Sequence, residues 1–396
     1  MNNGNQRVAN LIEYVNGLKA KLDGIELYAK YKDDIENVKP QEAFEIFYSL
    51  IEDKVEPKEI LVFLDKVINV FYKSLLNYHW EKPKNDNFLM DLLNENEALV
   101  KKTDEIKMLL KEPNLKVKKE KLLPYVIELE EFNDHYLKKE NILFPYMEKS
   151  MIKFHGLSIM WALHDVVRNQ IKEAVEVIKD SETSEQQLNK AIANLFFGIL
   201  GLKKKEELIL FPAASEVLSD NDWYQMHKQS LEYGFPFIGK IEKINDNINE
   251  NETIQTFNNG SFKTETGELN FEEILMIFNA LPVDMTFVDE NNKVRYFTRP
   301  KDRIFPRSPA IIGRDVKNCH PPESVHIVEE IVENFRQGKE DSAKFWLNIK
   351  DKSILIQYFA LRDDKGTYKG VLEVGQDITD IKKIEGERRL LRWENQ

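Results

Sequence analysis

Glu140-Asn141-Ile142-Leu143-Phe144-Pro145 returns 67 residues later as Glu207-Leu208-Ile209-Leu210-Phe211-Pro212. Each copy sets a carboxylate ahead of an apolar Leu-Phe-Pro stop, and His135 stands upstream of the first. The repetition predicts two related helices that each turn an acid inward among apolar neighbours. A buried carboxylate is costly unless something cationic meets it, and helix bundles build their internal metal sites from such inward acids and imidazoles.

Around this pair, apolar periodicity predicts four long amphipathic helices near Phe88–Leu110, Leu122–Tyr146, Leu157–Ile178 and Leu188–Leu218, an up-down bundle when joined by short connections. Before them, Pro40 and Pro57 each precede an apolar-periodic run, as suits proline in a helix's first turn. A small helical unit over residues 1–80 and a bundle over 81–240 follow from this.

Composition changes after the bundle. Residues 245–259 are rich in Asn, Glu and Thr with little to bury, so 241–267 reads as a polar linker. Beyond it the period becomes alternating. Val283–Asp289 and Lys293–Thr298 flank a turn, and Ala343–Lys350, Ile354–Arg362 and Lys369–Gln376 follow a helical stretch. Two strands, helix and three strands predict an α+β domain over 268–382 with a five-stranded antiparallel sheet, and residues 383–396 are expected to form a helix. The fold class is therefore mainly α with a C-terminal α+β domain.

Bulk properties exclude other classes. The net charge of −12 carries no long basic run, which argues against nucleic acid as a partner. The lone Cys319 rules out an internal disulfide, and no apolar stretch has membrane length, so a cytoplasmic protein without membrane contact is expected. No nucleophile elbow, phosphate loop or dinucleotide glycine pattern appears, and an enzyme is not expected.

Two resemblances gather these features. The paired strands, Ile312-Gly313-Arg314, His320-Pro321, the last three strands and the closing Asp377-Ile378-Thr379 resemble a PAS sensor domain. His135 through Pro145, Met160-Trp161 with His164-Asp165, and Glu206 through Pro212 resemble the hemerythrin-like HHE cation-binding bundles, which occur fused to PAS domains behind a helical N-terminal domain of unknown function. The resemblance implies iron held by histidines and carboxylates, with His135, Glu140, His164, Glu206, Glu207 and Glu95 as the metal set. Imidazole and carboxylate suit that ion.

The chain departs from the family pattern in informative ways. The family's Glu, four residues after His135, is here Lys139. Glu140 lies five residues on, about 140° around an ideal helix, so it shares an ion with His135 only after local distortion. Glu131, one turn before His135, is the other replacement. His155 lies about half a revolution and about 13 Å from His164, which makes His164 the better ligand. Either Glu206 or Glu207 can face inward. Asn87 stands where relatives carry a first-helix His, leaving Asp91 and Glu95 as oxygen donors. So few imidazoles point to a mononuclear or weak site rather than a di-iron centre, and set against it is a bundle whose histidines and acids form only internal ion pairs.

In the PAS-like region, Phe287, Phe297, Ile304, Phe305, Ile311, Val316, Ile327 and Phe345 are candidates to line a cavity. Heme-binding PAS domains place an axial histidine near the position of His326, so His326, with His320 and Cys319, forms the candidate cofactor set for heme. Both resemblances imply a sensor or adaptor that responds to oxygen, redox state or a small ligand and signals through flanking helices to a protein partner or a second copy. The alternatives are an iron-handling protein, storing or delivering iron or repairing clusters, and a non-catalytic interaction module with vestigial sites.

Overall fold

The computed structural model describes residues 3–82, 88–239, 261–264, 267–301, 303–349 and 351–387. These divide into two compact units, one built in the main from Met1–Ile244 and the other from Asn245–Arg307, Ile311–His320 and Ser324–Gln396.

The first unit is helical. It opens with α1 (Asn3–Lys19), α2 (Gly24–Ile35), α3 (Pro40–Glu52) and α4 (Pro57–Leu76). Pro40 and Pro57 are the first residues of α3 and α4, where the missing N–H costs nothing. The bundle helices follow: α5 (Phe88–Leu109), α6 (Leu115–Glu128), α7 (Asn133–Lys138), α8 (Phe144–Ser150), α9 (Ser158–Lys179), α10 (Glu185–Lys205) and α11 (Phe211–Val217), then α12 (Asp220–Ser230). A 3-10 turn at Leu129–Phe132 links α6 to α7, so α6, α7 and α8 form one long rod, and α10 and α11 form another.

The repeated phrase turns out to be the joint in each rod, not the stop expected of it. Lys139–Leu143 and Glu206–Leu210 are π-helical turns, in which Phe144 N–H bonds back to the Lys139 carbonyl and Phe211 N–H to that of Glu206. Pro145 and Pro212 lack an N–H, and their rings would press on the carbonyl four residues earlier. Widening the turn by one residue removes that conflict and lets the helix run on.

One hydrophobic core runs through this unit, from Leu11 and Phe71 to Phe88, Leu99, Phe144 and Trp223. The expected 1–80 unit and 81–240 bundle thus share a single interior. Helices α3 and α4 pack on the second π turn, and α12 packs on α5 and the first. Covered from every side, Lys138 through Pro145 are all buried, charged residues included.

In the second unit, β1 (Ser261–Thr264), inside the stretch 241–267 read as linker, pairs with β2 (Gly267–Asn270) at its end, and residues 241–260, 265 and 266 of that stretch lie outside the described set. Asn270 caps α13 (Phe271–Ala280) by accepting from Glu273 N–H, and Glu273 reciprocates. The sheet is five-stranded and antiparallel, ordered β4-β3-β7-β6-β5, with β3 Asp284–Asp289, β4 Val294–Phe297, β5 Ser342–Ile349, β6 Lys352–Arg362 and β7 Tyr368–Asp377. Every strand end lies within two residues of the sequence expectation. Helix α14 (Pro322–Arg336) lays Val328, Val332 and Phe335 against Ile354, Ile356, Tyr358 and Val371. Of the expected C-terminal helix, Ile381–Lys383 is a 3-10 turn and residues 388–396 lie outside the described set.

Gly370 sits where β7 lies between β3 and β6, with φ of +138°. A Cβ there would fall on the Val288 carbonyl oxygen and against the Phe287 ring. Gly370→Ala is expected to destabilise the C-terminal unit by about 3 kcal/mol, read as a lowered calorimetric transition. A transition at the wild-type temperature would show that the close approach imposes no constraint.

Candidate functional site

Three bundle rods bring their acids and bases to one place. From α5, Glu95 Oε2 lies 2.8 Å from His135 Nδ1, while Lys138 donates its ammonium to Glu95 Oε1. On the other side, His135 Nε2 lies 3.1 Å from Glu206 Oε2, and Lys139 donates to Glu206 Oε1. Asn96 Nδ2 adds a third donor to Glu206, at 3.0 Å. A carboxylate only accepts, so His135 makes both contacts as hydrogen bonds when its ring donates from both nitrogens. Glu95, His135, Lys139 and Glu206 are each at most 1% exposed.

Lys139 and Glu206 hold equivalent positions, each immediately before its copy of the repeated phrase. The copies therefore meet through a charge reversal at matched sites. Of the two candidates, Glu206 faces inward, while Glu207 is partly exposed and pairs with Lys203 at 2.7 Å, outside the cluster. Glu131 is exposed.

A second group lies beside the first. Glu140 joins His164 Nδ1 at 2.7 Å, as Arg168 clamps Glu140 and also reaches Asp165 at 2.9 Å and Asn133 at 2.8 Å. Glu140 thus answers to His164, not to His135. Tyr136 stacks between the groups, 4.6 Å from the His164 ring centre, and Lys139 Nζ lies 4.8 Å over the Tyr136 ring. His164 Nε2 is buried with no hydrogen-bond partner among the described residues. Asp91 faces His227 of α12 at 3.4 Å. Asn87 and the side chain of His155 lie outside the described set.

Burial dominates the electrostatics. It opposes ionisation of Glu206, yet the charges of Lys139 and His135 overcome it and hold that carboxyl far below the usual range. Burial also pushes the Lys138 and Lys139 ammoniums down, against the pull of Glu95 and Glu206. His164 is driven well below its usual value, first by burial and then by the nearby charges of Lys139 and Arg168.

These contacts do not fit a bound iron. Each carboxylate that would ligate it already meets a fixed cation, Lys138 on Glu95, Lys139 on Glu206 and Arg168 on Glu140. Among the described residues, no group of three or more His, Cys, Asp or Glu side chains is arranged to hold a metal. Lys139 departs visibly from the family pattern, whereas Lys138 and Arg168 match no motif in the sequence. The signal for Arg168 was its place one turn after His164 on the same face.

Comparison with known proteins agrees with this architecture. The hemerythrin HHE cation binding domain matches residues 90–214, and a PAS domain matches residues 274–379. The chain joins an HHE bundle to a PAS domain. Among solved structures, a C-terminal domain from Streptococcus mutans is 30% identical over 32% of this chain and 98% of that one, with a TM-score of 0.31. A PAS domain from Colwellia psychrerythraea is 16% identical over 28% of this chain and 97% of that one, with a TM-score of 0.23. A sensory box sensor histidine kinase from Vibrio cholerae is 12% identical over 27% and 89%, with a TM-score of 0.22. No curated protein matches the chain.

Within the PAS domain the nominated residues do not converge. His326 is exposed, on the side of α14 away from the Val328, Val332 and Phe335 stripe, so its imidazole does not enter the apolar interior as a heme ligand must. Ile327 and Phe345 are likewise exposed, and Phe287 falls on the opposite face of β3 from buried Val288. His320 is half-buried. Its Nδ1 donates to the Val316 carbonyl at 2.9 Å, and burial lowers its pKa against the pull of Glu373. Cys319 packs with the cluster of Val288, Val294, Phe297 and Ile311. A groove of about 490 Å³ is lined by Asn279 to Asp284, Pro300, Lys301, Ile304, Lys352, Asp377 and Asp380.

The bundle's charges give stability a definite pH dependence. The folded pKa of His164 lies below the ordinary imidazole value of 6.5, so the unfolded chain takes its proton first, and stability falls as pH drops below 6.5. The contribution of Glu206 is fully present above the ordinary carboxyl value of 4.5 and is lost as pH falls from there toward the folded value. Calorimetry from about pH 7.5 to about pH 4 is expected to show a steadily falling bundle transition, with His164→Gln flattening the upper part of the slope. An unchanged slope in that variant would remove His164 as the cause.

Proposed function

We propose that the protein is a cytoplasmic signal-sensing adaptor without catalysis of its own, in which the PAS domain takes the signal and passes it to a second copy of the chain through the helix that precedes its sheet. The observation that carries this reading is α13. None of its residues is buried, although it reads Phe-Glu-Glu-Ile-Leu-Met-Ile-Phe-Asn-Ala. Phe271, Met276, Ile277, Phe278 and the following Leu281 are between 37% and 57% exposed. An apolar helix is stable when its apolar face is covered, and contiguous exposed patches of this kind mark association surfaces. A two-fold contact between copies covers the same face on both partners at once.

The groove supports a route from ligand to output. Its wall includes Ala280 at the end of α13 and Asp377 and Asp380 at the exit of β7. That exit is latched, since Thr379 Oγ1 donates to Asp377 Oδ1 at 2.6 Å and accepts from Ser353 N–H at 2.8 Å. A small polar ligand that prefers one arrangement of these walls biases both flanking segments together. The HHE match by itself suggests a cation, usually iron, and would favour oxygen sensing or iron handling. The fixed cations around its acids weigh against both. No helix among the described residues is long and apolar enough to cross a membrane.

Light scattering of the full chain is expected to give a dimer, and Met276→Glu with Ile277→Glu a monomer. Removal of the residues after Asp380 is expected to weaken dimerisation about tenfold. A monomeric wild type, or a dimer indifferent to all these changes, rejects the reading.

A further inference from the structure

We propose that the ammonium groups of Lys138 and Lys139 are tethered substitutes for bound metal, so that this HHE bundle keeps its acidic interior by internal ion pairing and takes up no divalent cation. The inference stands apart from the sensor reading, since it concerns only the bundle. Its first support is placement. Glu95, His135 and Glu206 come from three separate rods and meet in one interior, but the imidazole lies between the two acids, both its ring nitrogens in contact with carboxylate oxygens at 2.8 and 3.1 Å, so among the described residues the three leave no common point for an ion. The carboxylate oxygens left over on Glu95 and Glu206 do not face open space. They take the two lysines.

The second support is charge. Glu95 pairs with Lys138 and Glu206 with Lys139, two formal negatives against two positives. A divalent ion added to that balance leaves two unmatched charges in a region shut off from water. To enter, it must displace Lys139, which is 0% exposed and has no solvent beside it to receive its charge. The third support is rigidity. Lys138 Nζ lies 4.1 Å over the Phe235 ring, and Lys139 Nζ is held over Tyr136, so each ammonium is fixed by an aromatic face as well as by its carboxylate.

The test uses the full-length protein, the metals Zn²⁺ and anaerobic Fe²⁺, and two readouts, bound metal per chain after gel filtration and the shift of the bundle's melting temperature. Wild type is expected to retain under about a tenth of an equivalent of either metal and to show no shift. Lys139→Met strips the tethered charge from Glu206. It is expected to melt lower than wild type, to recover on adding Zn²⁺, and to bind that ion at least a hundredfold more tightly than wild type does. Lys139→Met with Glu206→Gln removes both charges and is expected to fold without metal and to ignore it, which keeps the comparison valid if the single variant is too unstable to purify. Wild type holding half an equivalent or more of metal, with a raised melting temperature, overturns the inference. A single variant as stable as wild type and indifferent to Zn²⁺ overturns it as well.

Discussion

The contact on which the bundle depends is the one between Lys139 and Glu206. Two helices that carry nearly the same phrase lie in one interior, and equal acids at matched positions would repel one another in a medium that screens poorly. A lysine at one of the two positions turns that repulsion into a pair. Glu206 then has a charge to meet, His135 has an oxygen on each side, and Glu140, displaced from His135, is free to join His164 and Arg168. Each later feature of the site follows from that reversal of sign.

Enclosure makes the reversal matter. On a bare four-helix bundle the Lys138–Pro145 segment would show one face to water. Here α3, α4 and α12 close over the π turns. Low dielectric strengthens each pair and raises the cost of any member left alone, so the network is sound only when fully matched. The π turns serve the same end. By admitting one extra residue per turn they let Lys138, Lys139 and Glu140 all point into the interior, which a regular helix passing a single neighbour does not allow. A shared fold with cation-binding bundles thus coexists with a different occupant of the central space, as expected when function resides in the site and not in the scaffold.

Much of the C-terminal domain was legible. Alternating apolar residues bounded by turns such as Asp289-Glu290-Asn291-Asn292 and Asp363-Asp364-Lys365-Gly366 located all five sheet strands, because a half-buried strand has a period that survives without tertiary information. The exposure of His326 follows from the same principle. Val328, Val332 and Phe335 form the apolar stripe of α14, and a residue two places before Val328 points about 160° away from it. The β1–β2 hairpin had no such period, since its residues are nearly all exposed.

By itself the sequence determined the helical and sheet halves, the order of their elements and the fact that acids lie inside the bundle, since these depend on neighbours within a turn or a strand. Only the tertiary structure decided which base meets which acid. Glu95 and His135 are 40 residues apart, Lys139 and Glu206 67, and Asn96 and Glu206 110. No local periodicity reports on partners at that separation. Whether a buried carboxylate meets a metal or a lysine is settled by which side chain from a distant rod reaches it first, and in this bundle the chain supplies the cation itself.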